Sequence, residues 1–227
     1  MEALPDRRHP SENAPNQLLV EGPDDLHAVA HLMDLHDFPM DSSNPCAPFI
    51  KVCGGYTGVV ESILVPVKVS RYKRIGIIVD ANNQPADRWA QLRDQLGRVS
   101  KEMGVAVRLP ESPVSQGTIV DGFFPDTRIG VWLMPNNQDS GALEDFLETL
   151  VPDDNACWLY AKSATIEARN HGALYSDAGF KKARLHAWLA WQEEPGLPFG
   201  TALKSCYLKS DSPLALTFVE WFKRLFV

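Results

Sequence analysis

The chain has 227 residues, of which 44% are hydrophobic and 22% are charged, as expected of a globular protein with one large domain. Its net charge of −7 argues against a protein that coats nucleic acid without sequence preference. A nuclease is not excluded, because an acidic active site would contribute to that charge. No apolar run approaches the roughly 20 residues that span a bilayer, so we expect no membrane partner.

The spacing of the cysteines and the composition of the first residues bear on the cellular compartment in which we expect the protein. The four cysteines are far apart in the sequence and form no C-x-x-C pair, so neither a zinc site nor a redox motif is predicted. Residues 1–16 contain no apolar segment of the kind found in secretory signals, and we interpret them as a disordered leader. We therefore expect a cytoplasmic protein with reduced thiols, folded as a single domain over residues 17–227.

The first predicted strand ends in an acid. Leu18, Leu19 and Val20 form an apolar run typical of a buried strand, and Glu21 follows directly. A Gly-Pro pair then breaks the extended pattern, and a helix is predicted from there to about Leu35. This arrangement predicts a carboxylate at the carboxyl end of a strand, where open α/β sheets bind their ligands.

A second stretch repeats this design. Residues 75–79 are another apolar run, and Asp80 follows them. If the two strands are adjacent and parallel, Glu21 and Asp80 face one crevice. Two carboxylates held close together repel each other unless a cation or a proton neutralises one of them.

The remaining pattern alternates between strands and helices. Strands are predicted at 49–56, 74–82, 105–109 and 129–134, and helices at 24–35, 57–64, 87–103, 142–150, 155–170, 180–191 and 213–226. Residues 110–127 are predicted to be a loop, with room for an edge strand. The alternation predicts an α/β fold with a mostly parallel open sheet flanked by helices. The helices of residues 152–227 are expected to pack on that sheet.

Two turns carry further candidate residues. Gly54 and Gly55 separate a strand from a helix, where backbone N–H groups can approach an anion, although the pair is equally compatible with a tight turn. Asp139 and Glu144 lie near the start of a later helix. For these two acids, helix capping and a role in the site are equally good interpretations.

Several segments of the sequence resemble those of a known protein family. The segment L-V-E-G at 19–22, followed by Asp25 and by I-V-D at 78–80, resembles the Toprim domain of topoisomerases, primases, recombination proteins and nucleases of the overcoming-lysogenisation-defect class. More closely, M-P-N-N-Q-D-S-G-A-L-E-D at 134–145 and A-W-L-A-W-Q-E-E-P-G-L-P-F-G at 187–200 resemble an uncharacterised Toprim-like family of bacteria and archaea. That closer resemblance covers nearly all of residues 17–227.

The resemblance implies a Toprim-like, Rossmann-like fold and a site for Mg²⁺ or Mn²⁺. Glu21 matches the glutamate that acts as a general acid/base or metal-associated group, and Asp80 matches a magnesium ligand. The second aspartate of the family pattern is Asn82 here, whose amide oxygen can bind Mg²⁺ but brings no negative charge. A weak or one-metal site is therefore expected, with Asp25 and Asp139 as further candidate ligands.

Two functions remain open from the sequence. The first is a Mg²⁺-dependent nuclease for DNA or RNA, with Glu21 and Asp80 as catalytic residues. Its candidate substrate-binding residues are Gly22, Gly54, Gly55 and Arg88. The second is an inactive binding or regulatory module that works with a partner such as an ATPase, since the chain has no G-x-x-x-x-G-K-[ST] motif. The aromatic final helix would suit either a core or a homodimer interface.

Overall fold

The computed structural model describes residues 9–69, 71–123 and 127–227. The strands are β1 (Asn16–Val20), β2 (Phe49–Val52), β3 (Arg74–Asp80), β4 (Thr118–Asp121) and β5 (Arg128–Met134). The helices are α1 (Pro23–Leu35), α2 (Tyr56–Lys68), α3 (Pro85–Glu102), α4 (Leu143–Glu148), α5 (Ala156–Asn170), α6 (Phe180–Leu189), α7 (Phe199–Lys204) and α8 (Pro213–Phe226).

The strands form one sheet in the order β2-β1-β3-β5-β4. All neighbours are parallel except β4, which pairs antiparallel with β5. The chain leaves β1 toward one side to form β2 and then crosses to the other side to form β3. The carboxyl ends of β1 and β3 therefore flank the point where the strand order reverses, which is the usual ligand position in such sheets.

Both faces of the sheet are covered. Alternate residues of β1, Leu18 and Val20, face a core shared with α1 and with α4 to α8. Leu19 faces the opposite core, which α2 and α3 complete. Burial on both faces explains why the strands appear in the sequence as nearly continuous apolar runs.

Helix α8 lies against two glycines of the sheet. Gly76 of β3 and Gly130 of β5 are partners in register. A Cβ atom at Gly130 would lie 2.4 Å from Cδ2 of Leu225, and one at Gly76 would lie 3.0 Å from Cζ of Phe226. Because glycine has no side chain, the apolar face of the final helix can approach the strands closely at these two positions.

The predicted fold class is confirmed: the chain is α/β, with a five-stranded, mostly parallel sheet flanked by helices. The predicted strand at 105–109 is wrong, because this segment bonds to a side chain instead. The Ser100 hydroxyl donates to the Val105 carbonyl at 2.6 Å and accepts from the N–H of Val107 at 3.3 Å. The antiparallel edge strand is β4, inside the segment predicted as a loop.

Other differences are smaller. Helix α7 (Phe199–Lys204) lies where no helix was predicted. Helix α2, predicted to end at residue 64, continues to Lys68 although it contains Pro66. Residues 1–8 of the predicted leader lie outside the described residues, and 9–15 form no helix or strand.

All four cysteines are free thiols. In the described part of the chain, no helix combines the length and apolar character needed to cross a membrane.

Candidate functional site

Glu21 connects the end of β1 to two other elements. Its Oε1 atom accepts a hydrogen bond from the N–H of Asp80 at 2.9 Å. Its carboxylate also accepts from the N–H of Tyr56, the first residue of α2. Burial raises the pKa of Glu21, while these hydrogen bonds and the charge of Arg88 act in the opposite direction.

Asp80, the last residue of β3, reaches the start of another helix. Its Oδ1 atom accepts from the N–H of Leu143, the first residue of α4, at 3.0 Å. Burial raises the pKa of Asp80 to about 8, and the charges of Asp25, Glu21 and Glu144 add to that rise.

Asp25 is the third buried acid. Its Oδ2 atom accepts from the N–H of Gly22, the N-cap residue of α1, at 2.8 Å. Burial raises its pKa to about 7, helped by the charges of Glu21, Glu144 and Asp24. We call Glu21, Asp25, Asp80 and Glu144 the acid cluster.

The acid cluster lies where three helices begin. Glu21 bonds the first N–H of α2, Asp80 bonds that of α4, and Asp25 caps α1. Negative charge is favoured at a helix N-terminus, so each acid has a structural role of its own. Yet the pKa of all three is raised. Burial outweighs the stabilisation by the caps at Glu21, and at Asp25 and Asp80 the charges of neighbouring carboxylates add to the effect of burial.

The carboxylates of the acid cluster are suitable ligands for a hard cation, but they are not arranged closely enough to form a metal site. Carboxylate oxygens are the ligands that Mg²⁺ and Mn²⁺ prefer. Across residues 9–69, 71–123 and 127–227, however, no three or more His, Cys, Asp or Glu side chains are grouped so that they could hold a metal ion. The donors fit the ion, whereas the arrangement is not that of an assembled metal site.

Asn82, a predicted metal ligand, has a clear role in the backbone. It is exposed and adopts the left-handed conformation with φ 51°, which asparagine tolerates better than most residues. Its N–H donates to the carbonyl of Gly141, and the N–H of Gly141 donates to the carbonyl of Asn82, both at 2.7 Å. This pair fixes the segment before α4 beside the end of β3, which positions the N–H of Leu143 for Asp80.

Asp139, also predicted as a ligand, lies apart from the acid cluster. It is exposed and accepts a hydrogen bond from Nδ2 of Asn136 within its own turn at 2.7 Å. It is not among the charges that raise the pKa of Asp80 or Asp25. The acid from this stretch of the chain that does raise the pKa of Asp80 and Asp25 is Glu144. In the sequence, the only sign of this role was the position of Glu144 in the first turn of a predicted helix.

The three glycines predicted to bind substrate already use their N–H groups. Gly22 donates to Asp25, and Gly54 and Gly55 both donate to the main-chain carbonyl of Glu21, at 3.1 and 2.9 Å. An anion could be bound by these N–H groups only after one of them exchanged its acceptor. Of the two interpretations of the Gly54-Gly55 pair, the hydrogen bonds favour the tight turn.

Arg88, the fourth predicted substrate residue, lies beside the cluster. Its guanidinium carbon is 3.8 Å from the ring centroid of Tyr56, and the Tyr56 hydroxyl donates to the carbonyl of Arg88 at 3.4 Å. The positive charge of Arg88 lowers the pKa of Glu21, so the two side chains are electrostatic neighbours. Tyr56, which the sequence interpretation passed over, holds this arginine through its ring.

Helix α6 places two lysine side chains beside the acid cluster. Lys181 forms an ion pair with Asp145, and Lys182 pairs with Asp24 at 2.5 Å. The hydrogen bond to Asp24 raises the pKa of Lys182, and the charges of Glu144 and Asp25 contribute. These lysines therefore tie α6 to the starts of α1 and α4.

A family model described as "Protein of unknown function (DUF3226)" matches residues 15–227. The comparison with curated proteins found no match, and neither did the comparison with solved structures.

Proposed function

We propose that this chain, which belongs to the DUF3226 family, catalyses phosphoryl transfer with a divalent cation held at the acid cluster. The observation that carries the proposal is the convergence of Glu21, Asp25 and Asp80 at the reversal point of the sheet. Their negative charges are costly there, because burial raises the pKa of each carboxyl and the charges of neighbouring acids raise those of Asp25 and Asp80 further. A divalent cation removes that cost.

Glu21 and Asp80, together with Asp25, would hold the ion. When bound, a divalent cation polarises a phosphoryl oxygen and lowers the pKa of an attacking water. Mg²⁺ and Mn²⁺ are the ions expected from the oxygen-only donor set.

Other side chains have distinct tasks in this proposal. Arg88, held by Tyr56, binds a non-bridging phosphate oxygen and neutralises the charge that develops during transfer. As an alternative to holding the ion, Glu21 would move a proton between water and the leaving oxygen, because burial raises its pKa.

The substrate follows from the resemblance to Toprim domains rather than from the geometry. We propose a phosphodiester of DNA or RNA and, accordingly, a nuclease. An ATPase acting in trans is the partner proposed on the same basis. The aromatic final helix had also suggested a homodimer, but Phe218, Trp221 and Phe222 of that helix lie in the core of this chain. Asn82 limits the strength of the cation site, because its amide brings no negative charge.

A second function is favoured by the spacing of the acids. Glu21, Asp25 and Asp80 each bond a main-chain N–H group, and their present arrangement does not form a metal site. A fold that uses these acids only as caps would be a binding or regulatory module without catalysis.

Calorimetric titration of Mg²⁺ and Mn²⁺ at pH 8 separates the two functions. The variant Asp80→Asn keeps a hydrogen-bond acceptor for Leu143 but loses the charge, and Asp139→Asn is the matched control. We expect binding to wild type and to the control, and at least tenfold weaker binding to Asp80→Asn. Cleavage assays on labelled DNA and RNA, with Glu21→Gln, then test catalysis; equal metal binding by all three proteins would contradict the proposal.

A further inference from the structure

We infer that the outer edge of β2 binds an extended peptide segment of a partner protein, which adds to the sheet as a further strand. β2 is the edge strand, and among the described residues no strand pairs with its outer side. This inference is independent of the acid cluster and of the proposed chemistry.

The direction of the backbone groups follows from one hydrogen bond. The N–H of Cys53 donates to the carbonyl of Val20 in β1 at 2.9 Å. Because backbone groups alternate in direction along a strand, Lys51 also faces β1, whereas Ile50 and Val52 direct their N–H and C=O groups outward. An added strand would pair with these two residues.

A cavity lies on each face of this edge. On the side of α1, a cavity of about 330 Å³ has an apolar lining that includes Leu26, Ala30, Met40 and Ile50. On the side of α2, a cavity of about 590 Å³ has a more polar lining. Its lining includes Glu12, Gln17, Lys51, Ser62 and Tyr72. Successive side chains of an added strand point to opposite faces, so they would enter the two cavities alternately.

The occupant is constrained by charge. Ile50 and Val52 are partners of Leu18 and Val20, whose side chains face α1, so Lys51 lies on the α2 side. Lys51 is exposed, and no described carboxylate lies within ion-pair distance of its ammonium group. The peptide therefore carries an acidic residue opposite Lys51, flanked by apolar residues that face the cavity beside α1.

A second copy of this chain is a poorer occupant. In an antiparallel pair of two β2 strands, Ile50 and Val52 must face the outward residues of the other copy. The register that pairs Ile50 with Val52 in both directions sets Lys51 directly against Lys51 of the second copy. Like charges directly opposite each other destabilise a sheet, and the alternative registers shorten the overlap of this four-residue strand.

The test is a fluorescence anisotropy titration of the full chain with labelled peptides of the core sequence T-V-E-V-T and, as a control, T-V-K-V-T. We expect the glutamate peptide to bind and the lysine peptide to bind roughly fivefold more weakly. The variant Lys51→Glu should reverse this preference. Reversal is specific to the pairing of charges across the edge and would not follow from a general loss of structure.

A backbone variant tests strand addition itself. Val52→Pro removes an N–H group that points outward and leaves the ladder with β1 intact, so it should abolish binding; Val52→Thr, which keeps the N–H group, should bind like wild type. Circular dichroism and the melting temperature establish that both variants fold.

Three results would overturn the inference. The first is no binding of the glutamate peptide by wild type, and the second is binding that Val52→Pro leaves unchanged. The third is a different occupant: self-association that Val52→Pro abolishes would identify a second copy, and binding that requires deletion of residues 1–8 would identify the chain's own first residues.

Discussion

The carboxylate of Glu21 accepts a hydrogen bond from the main-chain N–H of Asp80 at 2.9 Å. One acid thus binds the backbone of the residue that carries the other, across the neighbouring ends of β1 and β3. The bond holds the two carboxyl groups in one crevice although their charges oppose each other.

The first prediction concerns pH. Burial raises the folded-state pKa of Asp25 to about 7 and that of Asp80 to about 8, above their usual value of 3.8. A raised folded-state pKa gives stability that is fully present below about pH 4 and is lost as the pH rises to about 8. We expect the free energy of unfolding in urea without divalent ions to fall by roughly 1–3 kcal/mol between pH 5.5 and 8.5. A flat profile would contradict the raised pKa values.

The second prediction concerns Asp25. Asn at this position can still accept a hydrogen bond from Gly22 but carries no charge, so Asp25→Asn should stabilise the fold at pH 8.5 by about 1–2 kcal/mol. Asp139→Asn, at an exposed acid, should change stability by less than about 0.5 kcal/mol. Urea unfolding of the three proteins gives the comparison. A destabilised Asp25→Asn variant would mean that the charge of Asp25 favours the fold.

The third prediction concerns divalent ions. Because a cation must displace the protons of Asp25 and Asp80, Mg²⁺ should raise the melting temperature at pH 8.5 and have little effect at pH 5.5. Asp80→Asn should remove most of this response. Ca²⁺ in place of Mg²⁺, and NaCl at matched ionic strength, control for general screening of charge.

The fourth prediction concerns the glycines under α8. Gly130→Ala would bring a methyl group to 2.4 Å from Leu225, so it should destabilise the protein by about 1–3 kcal/mol. Gly97→Ala in α3 is the matched control, because a Cβ atom there meets nothing within 4 Å and alanine favours helix. That variant should be stabilised by up to about 1 kcal/mol. Chemical denaturation measures both effects.

The sequence predicted those elements whose apolar pattern is strong. The final helix, Pro213–Phe226, has the predicted bounds, since its aromatic residues recur on one face and Ser212 caps it. The segment 105–109 also looked like a strand, but its pattern could not reveal that Ser100 would bind its backbone. Hydrogen bonds to one side chain five and seven residues earlier leave no periodic signal in the sequence.

Part of the candidate site was also predictable from apolar patterns in the sequence. Glu21 and Asp80 follow apolar runs, so their approach followed from the parallel order of β1 and β3. The separation of Asp139 from Asp80 did not follow, because it depends on how the turn before α4 closes on Asn136. Nor did the contact of Tyr56 with Arg88, which joins two helices through their side chains.

The capping role of Glu21, Asp25 and Asp80 affects how relatives of this chain should be interpreted. A relative that had lost its chemistry would still need acceptors at the starts of α1, α2 and α4, so it could retain all three positions through selection for folding alone. Selection for folding would also accept Asn or Gln at these positions, since an amide oxygen accepts the same bond without the repulsion. Only the persistence of the charge itself, over many generations and despite its cost, would therefore be a trace of selection for activity.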